Sequence, residues 1–310
     1  MKKSITKWIA GLWMLIRPVP VAAWAIGAPA IGLAGAVKEI GFGEVKWDLL
    51  GPAFLVIIIL HGGVSHAAND RADWISGTDR FGGRRLSGGS KVIQRGVLTL
   101  GDLYRIGLVS LIGSLALGIY LVLNAGPWLW LHLTVGLWAA LAYSLPPLRL
   151  SSRPLLGEWL CAWPALIAAC SSTYYMATGR LAWRNLISGA LHGAFCLGWL
   201  MEHHLSDIPA DLAAKPPKLT TVAYTARRWG WEAAPRIPAL YFLSAIPLAF
   251  LFKYYGHAAS WQVLVSTGLA VKAAAAAAKT QVTSISDITR RENQLTVFTF
   301  LHALWLMITA

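Results

Sequence analysis

Acidic side chains are scarce in this chain, 14 among 310 residues, and five of them fall in two short blocks. The first block is Asn69-Asp70-Arg71-Ala72-Asp73, followed by Asp79. The second, after His203-His204-Leu205-Ser206, is Asp207-Ile208-Pro209-Ala210-Asp211. Asn69 and Asp73 are four residues apart, as are Asp207 and Asp211, so on a helix each pair shares one face. Like charges at that spacing repel by about 0.2–0.5 kcal/mol, and a carboxylate carried into an apolar span costs about 2.5–3.5 kcal/mol. A divalent cation offsets both costs, and carboxylate and amide oxygens are the ligands that suit Mg2+, which also binds phosphates. One such block reads as well as a pair of solvated loop acids. Two blocks, each at the end of a long apolar run, favour the metal. Pro209 disfavours helical geometry at Ile208, so Asp207 and Asp211 are expected to straddle a helix end.

Other groups have the chemistry to handle an anion. Tyr143-Ser144-Leu145-Pro146-Pro147-Leu148-Arg149 closes another apolar run. A tyrosine hydroxyl and a guanidinium there can donate to phosphate oxygens, although either alone reads equally as an interfacial anchor or a topology charge. Gly82-Gly83-Arg84-Arg85 and Gly88-Gly89-Ser90-Lys91 lack the P-loop pattern but offer backbone donors and cations. His61, His66, His203 and His204 lie at the ends of apolar runs and are candidate proton acceptors, or satisfied core histidines. Glu158 and Lys272 are charges inside apolar segments, and for Lys272 pairing or snorkelling is preferred. Cys161, Cys170 and Cys196 are odd in number, without zinc spacing, and read as core residues.

The elements that must position these residues are membrane helices. Hydrophobic residues make up 56% of the chain and charged residues 13%, with a mean hydropathy of +0.54, which excludes an ordinary soluble enzyme. Nine apolar segments are long enough to cross a bilayer: 8–35, 49–68, 103–124, 127–145, 154–178, 185–205, 236–253, 258–278 and 293–310. The first follows Lys2, Lys3 and Lys7, like a signal peptide, but runs too far and is read as an uncleaved span. Twenty of the 27 Lys and Arg residues lie in alternate connections. The positive-inside rule therefore places the N-terminus and both acidic blocks in the cytoplasm, and the C-terminus outside. The net charge of +13 is thus a topology signal rather than a nucleic-acid footprint. The two long connections, 69–102 and 206–235, follow spans 2 and 6, and that four-span offset suggests two related halves. Ala273 to Ala278 is expected simply to let helices pack closely.

Taken together, the N-x-x-x-D block after span 2, the Y-S-x-P-P-x-R block after span 4 and the D-x-x-x-D block after span 6 resemble the UbiA superfamily of intramembrane prenyltransferases over most of the chain. Asn69-Asp70 with Asp73 and Asp79, then Gly88-Gly89-Ser90-Lys91-Val92-Ile93-Gln94-Arg95-Gly96, is similar to the branch that prenylates 1,4-dihydroxy-2-naphthoate for menaquinone. The resemblance implies an all-α, polytopic fold with nine transmembrane helices in one bundle. It implies a single domain over 1–310, capped by the two long cytoplasmic loops and set in the cell inner membrane. Asn69, Asp70, Asp73 and Asp79 would hold one Mg2+ and Asp207 and Asp211 a second. The catalytic roles would fall on Asn69, Asp73, Asp207 and Asp211. Lys91, Tyr143, Arg149, and Lys215 or Lys218 would contact the diphosphate. The pattern departs from the family in the later third acid, in His204 where an Asn is common, and in the run Lys215-Pro216-Pro217-Lys218 after Asp211.

The expected activity is Mg2+-dependent transfer of a polyprenyl group from its diphosphate to an aromatic acceptor, best fitted by 1,4-dihydroxy-2-naphthoate or a related quinone precursor. Partners are then the prenyl diphosphate, the acceptor and the bilayer, with neither nucleic acid nor an obligate protein. The alternatives are a related cyclase, a transferase with another acceptor (homogentisate, 4-hydroxybenzoate, a tetrapyrrole or a glycerol lipid), and a divalent-cation-dependent transporter.

Overall fold

A computed structural model describes residues 5–81 and 89–309. Lys2, Lys3, the Gly82-Gly83-Arg84-Arg85 run and Gly88 lie outside the described residues. All regular structure among the described residues is helical. The long apolar runs leave no other way to satisfy backbone groups away from water. The first run is split by Arg17-Pro18 into α1 (Ile5–Ile16) and α2 (Pro18–Ile40). Proline disfavours helical geometry at its predecessor, and Arg17 adopts φ +52° at the break. Next come α3 (Trp47–Ser76), the short α4 (Thr78–Phe81), α5 (Leu100–Ala125) and α6 (Leu129–Ala142). Thr99 and Asp102 close a capping box on α5, with Asp102 N–H to Thr99 Oγ1 at 3.1 Å and Thr99 N–H to Asp102 Oδ2 at 2.9 Å.

The second half contains α7 (Trp163–Thr178), α8 (Trp183–Leu205), α9 (Ile208–Ala213) and α10 (Thr221–Trp229). It ends with α11 (Arg236–Leu243), α12 (Ala245–Tyr255), α13 (Ser260–Ala277) and α14 (Ile285–Thr309). Helix thus occupies each of the nine stretches delimited by hydropathy. Four of the described helices, Pro18–Ile40, Trp47–Ser76, Leu100–Ala125 and Trp231–Tyr255, are long and apolar enough to cross a membrane by length and composition. α5, α13 and α14 turn bare aliphatic side chains outward, with Leu123 78%, Leu264 71% and Ile308 75% exposed. A water-facing surface does not carry so much contiguous apolar area. With the four helices of spanning length, such outward apolar faces mark the chain as an integral membrane protein.

α8 is the central post, with Leu191, Ala194, Phe195, Cys196 and Leu197 fully buried. It packs on α2, α7, α11, α12 and α14. α2 and α7 cross so closely that a Cβ on Gly32 would lie 1.8 Å from the Cys170 carbonyl oxygen. Only glycine fits there, an approach typical of membrane helices. Ala270, Ala273 and Ala277 bury completely, so the alanine run does serve close packing. All three cysteines are buried and unpaired. Three π-helical turns, Ala22–Ile26, Ile59–Ser65 and Glu158–Ala162, interrupt α2, α3 and the entry to α7. All three contribute to the wall of one cavity, in keeping with the habit of π turns to mark functional sites.

Candidate active site

That cavity has a volume of about 1610 Å³. Its inner wall is apolar, formed by residues such as Leu60, Leu121, Leu133, Leu166 and Met176. Its other end gathers Asn69, Asp73, Asp79, Asp207, Asp211 and Lys218. The helical repeat selects which acids of the first block reach it. Asn69 and Asp73 stand one turn apart on α3, and the Asn69 amide donates to Asp73 Oδ2 at 3.1 Å. Asp70, expected in the metal set, is about 100° further round the helix and does not border the cavity. Its buried carboxylate instead pairs with the Arg17 guanidinium and accepts the Ser90 hydroxyl, together with the Ser90 N–H at 3.2 Å.

α3 ends at Gly77, and α4 brings Asp79 back toward the cavity. Asp79 is 6% exposed. Burial, reinforced by the nearby charges of Asp73 and Asp70, pushes its carboxyl up to about 8. The segment from Gly89 closes over these acids, and Gln94 donates to the Asp79 carbonyl at 3.1 Å. Gly89 has φ +71°, and a Cβ there would stand 2.9 Å from Asp79 Oδ2 and 3.1 Å from Asp70 Oδ1. The backbone can lie on both carboxylates because this residue has no side chain.

The second block sits beyond the end of α8. The chain turns at Ser206 and Asp207, and Asp207 precedes α9, whose first turn accepts Pro209. The expected straddling of a helix end is therefore seen, and the Asp211 N–H still bonds the Asp207 carbonyl at 2.8 Å. Asp211 is 1% exposed and accepts from Thr220 Oγ1 at 3.0 Å. Burial raises its carboxyl well above the carboxylate range; Lys218 opposes this, while Asp207 and Asp73 add to it.

Of the two candidate lysines after Asp211, Lys218 reaches the cavity. It is 7% exposed, its Nζ lies 2.7 Å from Asp73 Oδ2, and its N–H bonds the Asp211 carbonyl at 2.9 Å. Burial disfavours its charge, but Asp73 and Asp211 outweigh burial and hold the ammonium above its usual range. Lys215 is exposed and does not border the cavity; only its backbone is engaged, to Ser76. Lys91 lines the cavity with φ +59°. Burial lowers its ammonium against the pull of Asp207 and Asp79. Tyr143 is on the wall. Arg149 is not, because the chain after Pro146-Pro147 coils into a left-handed turn at φ +43° that leaves it aside.

Among the described residues, no three His, Cys, Asp or Glu side chains converge tightly enough to hold a metal as they stand. The donors are nonetheless all oxygens, from two blocks facing one cavity, and a lysine now neutralises them. That chemistry fits a hard divalent ion entering between the blocks. Sequence reasoning gave no role to Arg17, Ser90, Gln94 or Glu292, all on the cavity wall. Arg17 had a signal, a charge inside an apolar run, and Ser90 and Gln94 lay within the glycine-rich run already singled out.

No family model matches the sequence, and no curated protein sequence matches it significantly. Solved structures do match in fold. A UbiA homologue from Archaeoglobus fulgidus bound to DMAPP and Mg2+ superposes with TM-score 0.65 at 13% identity, covering 94% of this chain and 99% of that one. The same homologue bound to GPP and Mg2+ gives 0.63 at 13% identity, covering 95% and 99%. A digeranylgeranylglyceryl phosphate synthase structure gives 0.60 at 14% identity, covering 98% and 99%. The chain has the UbiA-type fold over nearly its whole length.

Proposed function

We propose that this protein is a Mg2+-dependent intramembrane prenyltransferase. It moves a polyprenyl group from its diphosphate to an aromatic acceptor, with 1,4-dihydroxy-2-naphthoate or a related quinone precursor the best fit. The observation that carries this reading is one cavity that joins an acidic end to a largely apolar inner wall. It suits a charged diphosphate head and an isoprenoid tail, and structures of this fold bind DMAPP or GPP with Mg2+. The proposal includes nine spans in one domain, cytoplasmic loops over the site and an inner-membrane location, as the basic residues suggest.

In this reading Asn69, Asp73 and Asp79 hold one cation, and Asp207 and Asp211 a second. Bound there, Mg2+ supplies positive charge against the charge that develops on the leaving diphosphate. Asn69 fixes the Asp73 carboxylate through its amide. With Asp73 serving as a cation ligand, the Lys218 ammonium would be free to donate to the diphosphate, beside Lys91 and the Tyr143 hydroxyl. Asp70 serves from behind, tethering Arg17 and the Ser90 segment. Arg149 and Lys215 carry no role. The apolar wall keeps water from the allylic cation until the acceptor attacks.

The test is to incubate purified protein in lipid nanodiscs with Mg2+ and geranyl or geranylgeranyl diphosphate. Acceptors are 1,4-dihydroxy-2-naphthoate, homogentisate and 4-hydroxybenzoate, with lipid products identified by mass. A prenylated acceptor that vanishes in EDTA and in Asp73→Ala and Asp207→Ala is expected. Unchanged turnover by either variant removes the metal assignment.

A further inference from the structure

Prenylation of a hydroxyl-bearing acceptor leaves a proton to be removed, and the cavity wall holds five imidazoles among the described residues: His61, His66, His132, His203 and His204. Four have no carboxylate bonded to them that would stabilise an imidazolium. His61 stacks on Trp24 at 5.7 Å, and its buried Nε2 has no partner. His66 Nδ1 is held by the Leu15 carbonyl at 3.1 Å. His132 has both nitrogens engaged, by Trp128 O at 2.9 Å and Ser171 Oγ at 3.0 Å. His204 has its Nδ1 buried without a partner and no carboxylate bonded to it. His203 differs: its Nδ1 lies 2.7 Å from Glu292 Oε1, both side chains partly open at 29% and 18% exposure.

Nδ1–H donating to Glu292 fixes the tautomer, leaving Nε2 as the basic nitrogen, and a carboxylate behind an imidazole stabilises the imidazolium that forms when Nε2 takes a proton. Glu292 belongs to a polar stripe on α14, where Thr289, Glu292, Asn293 and Thr296 all border the cavity at the spacing of one helix face. His203 stands one turn before Asp207, which borders the same cavity. The stripe is a polar wall beside the acidic end, where a second substrate with polar groups would lie.

Resting on the transferase reading, we infer that His203, oriented by Glu292, is the general base of the acceptor subsite, and that the acceptor carries an acidic hydroxyl of the phenol or enol type. In the step, the C1–O bond of the allylic diphosphate breaks and its electron pair leaves with the diphosphate. The hydroxyl proton passes to His203 Nε2 as the electron-rich acceptor forms its new bond to C1. The imidazolium then yields that proton to solvent, so that a prenylated acceptor, diphosphate and one proton are the products. An imidazole matches such hydroxyls because a base works best with a pKa near the operating pH.

The experiment uses the full chain in nanodiscs with geranyl diphosphate and Mg2+, comparing 1-naphthol, protonated at neutral pH, with the ionised 4-nitro-1-naphthol. His203→Asn should lose roughly 100-fold or more in kcat on 1-naphthol, while its deficit relative to wild type shrinks below about 10-fold on the nitro compound, which needs no base. Glu292→Gln should lower kcat on 1-naphthol with KM little changed, and Glu292→Asp should restore part of it. A deficit equal on both acceptors, as a merely structural tie between α8 and α14 would give, overturns the proposal, as does transfer only to acceptors lacking an acidic hydroxyl. Wild-type protein that releases no diphosphate with any acceptor removes the transferase reading and this one with it.

Discussion

The Lys218 ammonium lies 2.7 Å from Asp73 Oδ2, joining two residues 145 positions apart in sequence. Both are nearly buried, with side chains 9% exposed. The contact ties the loop after α9 to the last turns of α3, and so joins the two acidic blocks. Lys218 thus holds a positive charge between the two acidic blocks, against Asp73 and Asp211.

Removing that charge should uncover the metal's contribution. Breaking one side of a buried pair costs about 3–5 kcal/mol because the partner is left uncompensated. Lys218→Met should therefore lower the melting temperature in EDTA, and Mg2+ should raise it by more than it raises wild type. Thermal unfolding in nanodiscs, with and without Mg2+, checks this. An equal Mg2+ response in both proteins would show that Lys218 does not hold the cation's place.

Arg17 and Asp70 should behave as one unit. Arg17 lies at the break between α1 and α2, and Asp70 also holds Ser90. Arg17→Ala and Asp70→Ala should each weaken Mg2+-dependent diphosphate release by about 10-fold or more. The double variant should lose little beyond the worse single one, because residues of one network are not additive. Simple additivity of the logarithms of the two losses would separate their roles.

Much of this arrangement was legible in the sequence. Apolar length located the helices, and i, i+4 spacing placed Asn69 and Asp73 on one face. Asp207 and Asp211 do straddle a helix end, but the turn falls at Ser206 and Asp207, and Ile208 before Pro209 is itself helical. What the sequence hid depends on long-range contact. Spacing cannot say which way a helix is rotated, so it did not reveal that Asp70 faces Arg17 rather than the cavity. Lys215 and Lys218 are equivalent in type, and only the path of the loop buries one. Glu292 is an unremarkable loop-end acid until α14 packs beside α8 and presents it to His203.

Proton competition should govern cation binding. Asp79 has its carboxyl raised to about 8 by burial and by Asp73 and Asp70, so in the metal-free protein it is largely protonated at neutral pH. The folded state then binds more protons than the unfolded one between about 4 and 8, so this group's contribution to stability falls as pH rises through that window. Mg2+ displaces the proton. Affinity should rise from pH 6.5 to 8.5, with proton release at pH 7. Calorimetry in buffers of different ionisation enthalpy measures that release, and Asp79→Asn should reduce it. Release undiminished in Asp79→Asn would assign the proton to another acid such as Asp211.

Gly89 offers a test of the loop that closes over the acids. Its φ of +71° already disfavours a side chain, and a Cβ would approach Asp79 Oδ2 to 2.9 Å and Asp70 Oδ1 to 3.1 Å. Gly96 shares the positive φ, at +62°, but has open space where its Cβ would go. Both Gly→Ala variants carry the backbone penalty of about 1 kcal/mol, whereas only Gly89→Ala must lift the segment off the carboxylates. Gly89→Ala should therefore raise the Mg2+ concentration needed for half-maximal diphosphate release several-fold beyond Gly96→Ala, with the two proteins alike in thermal stability to within about 1 kcal/mol. The same Mg2+ requirement in both variants would mean that the contact of the Gly89 backbone with Asp70 and Asp79 has no part in shaping the cation site.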